Sequence, residues 1–357
     1  MKINFDKRQG EIHDLFDSIS WVLNDCHREM YSKFEAKVNK DVERAVKALS
    51  KIVNKNMELL EVYFKEFKEE SPLNNSIYEN SEVWGCSDKE ELTTCIRKLS
   101  GQQIKYEAIK SIGEFKEDAA DAKEKINEIL QSDSKILDLI ESLKVDDNMK
   151  WKLLKLINNS EKWVREFKQF IEEYIPQYEQ TMEKYAKSIE VFNNYIEGNI
   201  NNNGIKFLQK ILGNFNDAFF KFDNYDEIFV STVFFNSISC VFHESDKKLY
   251  MLLGRDFEAT TKRLSGENVF EKNINIYKNL CDKTRFNILK YLMDGEVYSQ
   301  EIANKYGISM ATVSYHMNYL ASVNLVKSEK RAQKTYYVVN KDTLRESIEF
   351  LKKTFNL

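Results

Sequence analysis

Proline and glycine are scarce, with 2 and 11 copies in 357 residues. A loop-rich all-β fold needs many tight turns, so this scarcity excludes it and favours long helices. The five cysteines, at 26, 86, 95, 240 and 281, form an odd and scattered set with no close pair. That is no disulfide framework, and a reducing cytoplasm is the expected compartment. Long apolar runs are also missing. The longest stretch without charge, Ile228 to His243, is broken by Ser, Thr and Asn and falls short of a bilayer span. The first fourteen residues lack an apolar core, so neither a secretory signal nor a membrane partner is expected. No Gly-rich phosphate loop, nucleophile elbow or paired acid–base motif occurs, so no enzyme and no cofactor are expected.

What is present is aromatic and charged. The 23 Phe, 18 Tyr and 4 Trp exclude intrinsic disorder, and the length suits two or three domains. Charge is unevenly placed: residues 267–357 hold 14 Lys and Arg against 10 Asp and Glu, whereas 1–266 hold 39 against 47. A tail of net +4 behind a body of net −8 suggests an anion-binding module on an acidic domain.

From Lys7 to about Phe222, apolar residues recur at three and four residue intervals, as in Ile12, Phe16, Ile19, Leu23 and Val42, Val46, Leu49, Val53, Leu60. These are amphipathic helices. Ser71-Pro72 breaks the second of them, and Pro176 either kinks the helix around 161–197 or starts a new one. The Gly/Asn tract at 198–204 reads as a linker that divides the helical body. Around 227–253 short β-branched and aromatic runs replace the helical period and read as strands, with a hairpin turn at Glu244–Lys248. Ile3 and Phe5 alternate with polar neighbours and supply an edge strand.

The last ninety residues carry the specific pattern. Asp282 caps a helix with Phe286, Leu289, Leu292 and Met293 on its apolar face. Ser299 caps a short helix that buries Ile302 and Ala303, and Gly307 permits a tight turn with Ile308 plugging the angle. Ser309 caps a second helix with the buried stripe Val313, Met317 and Leu320. Two short helices joined by a Gly-containing turn make a helix-turn-helix. Two strands follow around a basic tip, with Lys327, Lys330, Arg331 and Lys334 available for phosphates. A closing helix over 342–355 places Leu344, Ile348, Leu351 and Phe355 on one face, the expected dimer surface. The fold class is therefore mainly α: a multi-helix domain over 1–266 with a small sheet near 227–253, then a winged helix-turn-helix over 267–357.

Residues 270–357 resemble the ArsR/SmtB-type winged helix-turn-helix regulators. The resemblance rests on Leu280-Cys-Asp-Lys-Thr-Arg-Phe-Asn-Ile-Leu, Ile302-Ala, Ser309-Met-Ala-Thr-Val-Ser-Tyr-His-Met, and Leu325-Val through Tyr336-Tyr-Val-Val, about a quarter of the chain. It implies a homodimer built on the first and last helices of the module, with the helix from Ser309 in the major groove of an inverted-repeat DNA operator. Met310, Ala311, Ser314 and Tyr315 match the family's base-facing sites and Thr312 a phosphate contact; His316 either packs or donates to a phosphate. Met310 and Ala311 offer only apolar contact, so shape readout is expected to matter. The family's metal sensors use a Cys-x-Cys pair or acidic and His ligands on the last helix. Here 299–305 hold no Cys and 342–355 no His, so no metal site is expected.

Outside the module, Cys281 reads as a buried helix-start cysteine. Cys26 and His27 point about 100° apart on a helix and make no shared metal site. Trp21, Trp84, Trp151 and Trp163 read as core. The cluster Phe219, Phe220, Phe222, Tyr225, Phe229, Phe234 and Phe235 reads as sheet core in preference to a ligand site. The expected function is a cytoplasmic bacterial transcriptional repressor whose N-terminal domain takes a small-molecule or protein effector. The alternative is a protein-interaction scaffold that uses the winged helix only to dimerise.

Overall fold

The computed structural model describes residues 1–24, 26–33, 36–64, 89–113, 122–143, 145–213, 215, 221–245, 247–265, 269–331 and 334–357. Strand β1 (Lys2–Phe5) leads into α1 (Lys7–Leu23), where Asp6 accepts the Arg8 N–H at 3.1 Å. The helical part continues through α2 (Cys26–Lys33), α3 (Lys40–Lys55), α4 (Met57–Phe64), α5 (Lys89–Lys98), α6 (Gly101–Ile112), α7 (Ala122–Leu130), α8 (Asp133–Ser142), α9 (Asp147–Asn158) and α10 (Ser160–Glu183). Its core is built at helical spacing, with Ile12, Leu15, Phe16 and Ile19 meeting Val42, Leu49, Val53, Phe167 and Tyr174. The second amphipathic stretch is two helices, divided at Asn56. Pro176 lies inside α10, which runs on to Glu183. The break expected at Ser71-Pro72 lies outside the described residues, as do Trp84 and Cys86. Trp21 and Trp163 are core, but Trp151 is 64% exposed, because α9 turns Met149, Leu153, Leu156 and Ile157 inward instead.

The Gly/Asn tract is not a linker. Helix α11 (Ala186–Asn203) runs through it and ends at Gly204, whose φ of +53° turns the chain into α12 (Ile205–Leu212). Burial of Ile196 and Ile200 against the sheet outweighs the weak helix propensity of the Asn and Gly residues.

Strands β2 (Glu227–Val233), β3 (Cys240–Ser245) and β4 (Lys248–Gly254) join β1 in the order β1-β2-β4-β3. Ile3 pairs with Ile228 and Ile228 with Leu249 in parallel, and Phe242 pairs with Met251 antiparallel. Ile228, Val230, Leu249, Met251 and Leu253 face α11 and α12. The other face receives α1 at Gly10, whose N–H donates to Ser231 Oγ at 2.7 Å. A Cβ at Gly10 would run into the Thr232 carbonyl oxygen, so this close approach requires glycine. The aromatic cluster is split between two cores: Phe222 packs in the sheet core, Phe234 and Phe235 in the helical one, and Phe229 stacks on Tyr250. Phe219 and Phe220 lie outside the described residues.

Beyond α13 (Phe257–Ser265) comes a unit with a core of its own: α14 (Val269–Leu280), α15 (Lys283–Leu292), β5 (Val297–Tyr298), α16 (Ser299–Tyr306), α17 (Met310–Ser322), β6 (Val326–Arg331), β7 (Lys334–Val339) and α18 (Lys341–Phe355). Its sheet runs β5-β7-β6. Among the described residues, no helix is long and apolar enough to cross a membrane.

Burial pushes the His13 imidazole down to about 3. The unfolded side chain titrates near its ordinary value of about 6.5, so between these limits the unfolded state holds a proton that the native state lacks. Stability contributed by His13 is thus full above about pH 6.5 and is lost as pH falls, by about 1.4 kcal/mol per pH unit. His13→Gln is expected to flatten that dependence, as read from urea midpoints across the window. Equal slopes in the two proteins would refute a buried neutral ring.

Candidate nucleic-acid interface

Helix α15 starts where Asp282 accepts the Arg285 N–H at 2.8 Å. Its inner face is Ile288, Leu289 and Leu292, while Phe286 is 52% exposed and Met293 is also exposed. The expected face was rotated by one position. Cys281 is exposed too, because the chain has left α14 there and the capping turn lies on the surface. The Arg285 side chain is tied inward: Nε donates to the Asn279 carbonyl at 3.3 Å, and the guanidinium lies 4.5 Å from the Tyr319 ring centre. This contact fixes α15 against α17.

Ser299 is the first residue of α16 and does not cap it. Instead the Tyr298 N–H donates to Glu301 at 3.0 Å, and Ser299 Oγ reaches toward the Thr335 carbonyl of β7. Ile302 and Ala303 are buried, and Gly307 ends the helix at φ +62°, ψ 36°. Ser309 then caps α17 by accepting the Thr312 N–H at 3.0 Å. Val313, Met317 and Leu320 anchor α17 in the core, so the opposite side is presented outward.

That outward side carries Met310, Ala311 and Ser314, all exposed, with Tyr315 half-buried edge-on to Tyr319 at 5.0 Å. Thr312 is half-buried and its hydroxyl lies 2.9 Å from Ser309 Oγ. His316 departs from the group. It is buried, with Nδ1 4.0 Å from Asp282, because its position falls on the inner flank beside Met317. Asn318, half-buried one turn beyond Ser314, shares the outward face and was missed. The i, i+4 spacing from Ser314 was the available signal, and an Asn amide suits bidentate pairing with adenine.

The wing is the β6–β7 hairpin, paired from Val326–Val339 to Arg331–Lys334. Lys327 and Lys334 are exposed, and Lys334 Nζ sits 4.2 Å from the Tyr298 ring centre. The side chains of Lys330 and Arg331 and the tip at 332–333 lie outside the described residues.

Helices α14 and α18 close the module side by side. Tyr277 donates to the Ser347 carbonyl at 2.7 Å, and the Phe270 and Phe350 rings meet edge-on at 6.2 Å. Ile348 is 51% and Phe355 66% exposed, with Val269 and Phe270 exposed on α14; Leu351 is half-buried. Leu344 does not share that surface, since it packs into the module core. Among the described residues, no group of three or more His, Cys, Asp or Glu side chains could hold a metal.

Two short helices, an αL glycine turn and a β hairpin define a winged helix-turn-helix. A family profile described as "Bacterial regulatory protein, arsR family" matches residues 282–328. The transcriptional repressor SdpR of Bacillus subtilis is 30% identical over 82 residues, which span 23% of this chain and 91% of SdpR. The transcriptional activator HlyU of Vibrio cholerae is 26% identical over 84 residues, 24% of this chain and 78% of HlyU. Among solved structures, an ArsR family transcriptional regulator shares 18% identity at a TM-score of 0.24, covering 25% of this chain and 92% of its own. The solved structure of HlyU from Vibrio cholerae N16961 shares 23% identity at a TM-score of 0.21, covering 26% and 100%. The chain belongs to the ArsR family of bacterial regulatory proteins, through its last quarter.

A Cβ at Gly307 would meet no atom within 4 Å, so the constraint there is φ alone. Gly307→Ala is expected to lower stability by about 1 kcal/mol and Gly307→Asn by less, since Asn tolerates this region. Urea unfolding of the full chain measures both, and an Ala variant as stable as wild type would show that the turn does not need αL.

Proposed function

We propose that the chain is a dimeric, sequence-specific DNA-binding repressor that acts in the bacterial cytoplasm on an inverted-repeat operator, with an effector or partner received by its N-terminal domain. The observation that carries this reading is the division of α17: Val313, Met317 and Leu320 are buried while Met310, Ala311 and Ser314 stand exposed on the opposite side. A helix held this rigidly can enter a major groove and present the same side chains each time. Ser314, Tyr315 and Asn318 supply the polar contacts, Met310 and Ala311 meet thymine methyl groups, and Thr312 and the wing cations Lys327, Lys330, Arg331 and Lys334 meet phosphates. His316 serves the packing of α17 and is left out of this set.

The exposed apolar residues of α14 and α18 support the dimer. Val269, Phe270, Ile348 and Phe355 lie on helices that already pack together, and a second copy would cover them. Two recognition helices would then stand about 34 Å, or a multiple of it, apart along the duplex.

Fluorescence anisotropy with the DNA upstream of the protein's own gene, beside a scrambled duplex at two salt concentrations, tests the reading. Tight, salt-sensitive binding that prefers the native sequence is expected. Ser314→Ala and Tyr315→Ala should relax that preference, whereas Arg331→Ala should weaken binding to every duplex and lower the salt slope by about one. Unchanged affinity in all three removes the assigned face, and binding to neither duplex favours the scaffold alternative. By sedimentation velocity, the double variant Ile348→Asp, Phe355→Asp should run as a monomer where wild type runs as a dimer.

A further inference from the structure

The body is acidic, at 39 Lys and Arg against 47 Asp and Glu, yet one groove on its surface reverses the sign. This groove, of about 900 Å³, is walled by Arg44 of α3, by Lys184, Lys187, Val191 and Tyr195 along α11 and the turn before it, and by Arg255 just past β4. Among the described residues its lining holds one carboxylate, Asp41, 3.2 Å from Arg44, and Arg255 lies 4.0 Å from the neighbouring Asp256. Lys184 and Lys187 have no carboxylate within ion-pair distance among the described residues. Between these cations Val191 is 63% and Tyr195 44% exposed. Two lysines unpaired among the described residues are thus joined by arginines from two other elements, with an exposed valine and tyrosine between them. The combination is that of a site for a molecule with an anionic head and an apolar body.

The groove is also joined to the DNA-binding module. Tyr195 and Arg255 line a second cleft, of about 750 Å³, whose far wall is α14 with Phe270, Ile274 and Lys278. Tyr195 donates to Glu258 of α13 at 2.9 Å, and Arg255 stands two residues before that helix. Helix α13 in turn packs on both α14 and the recognition helix α17. A ligand that moves Arg255 or Tyr195 therefore pushes on one end of a helix that touches the reading head.

Resting on the DNA-binding reading above, we propose that this groove is the regulator's effector site and takes a small amphipathic organic anion. Lys184, Lys187 and Arg255 hold the carboxylate or phosphate head, and Val191 and Tyr195 support the apolar body. The bound ligand shifts α13 and so changes the affinity of the dimer for its operator.

The test uses the full chain and three probes: the anionic fluorophore 1-anilinonaphthalene-8-sulfonate, sodium decanoate, and decyltrimethylammonium as the matched cation. Saturable fluorophore binding is expected, displaced by decanoate and not by the cation. The double variant Lys187→Gln, Arg255→Gln should weaken both anions by at least about ten-fold, since it removes two charge-assisted contacts. Val191→Asp should do the same by a different route, while Lys162→Gln, in a separate charged groove, should leave both unchanged. Circular dichroism establishes that each variant is folded. Operator anisotropy is then repeated with and without decanoate, and a shift is expected in wild type that the groove variants lack.

No saturable anion binding, equal displacement by the cation, or variants that bind as wild type overturn the groove. Binding only to phosphatidylglycerol vesicles, and not to monomeric anions, overturns it in favour of a membrane surface. Anion binding at the groove without change in operator affinity overturns the coupling. If the anions bind as expected and no duplex binds under any condition, the regulator reading fails and the groove survives.

Discussion

The Asp14 carboxylate accepts the backbone N–H of Phe234 at 2.9 and 2.8 Å and that of Phe235 at 3.0 Å, joining the first helix to a turn more than two hundred residues later. Burial drives this carboxyl well above its usual range, and the two backbone donors pull the other way. A carboxyl group so far from water is tolerable only where donors are already aimed at it, so the turn after β2 has little freedom in how it runs. The neighbouring bonds extend the seam. Asn236 accepts from the Trp21 indole at 3.1 Å and donates to Asp17 at 2.6 Å, while Ser237 meets the Tyr31 hydroxyl at 3.0 Å and donates to Asp256 at 2.6 Å. Helix α1, the sheet and the approach to α13 are thereby one framework. The long helical excursion between β1 and β2 is a closed loop hung on it.

What was legible in the sequence follows how local each determinant is. The turn at Gly307, the cap at Ser309 and the stripe Val313, Met317, Leu320 each depend on residues a few positions apart, and the structure places them as their spacing implies. The strands at 227–254 were legible for the same reason, and the edge strand at Ile3 and Phe5 from its alternation. Rotational errors appear where two faces of a helix are both apolar: Phe286 and Met293 were indistinguishable from Ile288 until the partner helix was known. The Gly/Asn tract reads as a linker from local propensity alone, because the sheet that buries Ile196 and Ile200 lies elsewhere in the sequence. Asp14, Gly10 and the basic groove were invisible, since nothing near them in sequence announces the partners that give them meaning.

Charge ties these parts together. An acidic body beside a basic DNA-binding module biases the approach of a duplex toward the module. The body's field is screened beyond about 8 Å at physiological salt, so only the body surface nearest the wing matters to binding. There the body meets the wing through Lys221, whose ammonium lies 2.7 Å from Glu329 of β6 and occupies the wing's one carboxylate among the described residues. With Glu329 paired, the exposed hairpin cations Lys327 and Lys334 have no uncompensated carboxylate beside them on the described part of the wing, which suits the phosphate contacts proposed for them. The two basic features of the molecule differ in their surroundings: Lys327 and Lys334 are exposed on the strands of a two-stranded hairpin, whereas Lys184, Lys187 and Arg255 line a groove with apolar residues between them. A duplex presents its phosphates on a wide, stiff surface and offers nothing apolar to Val191 and Tyr195. In the proposed reading it is shape, more than charge, that suits one basic surface to DNA and the other to a smaller anion.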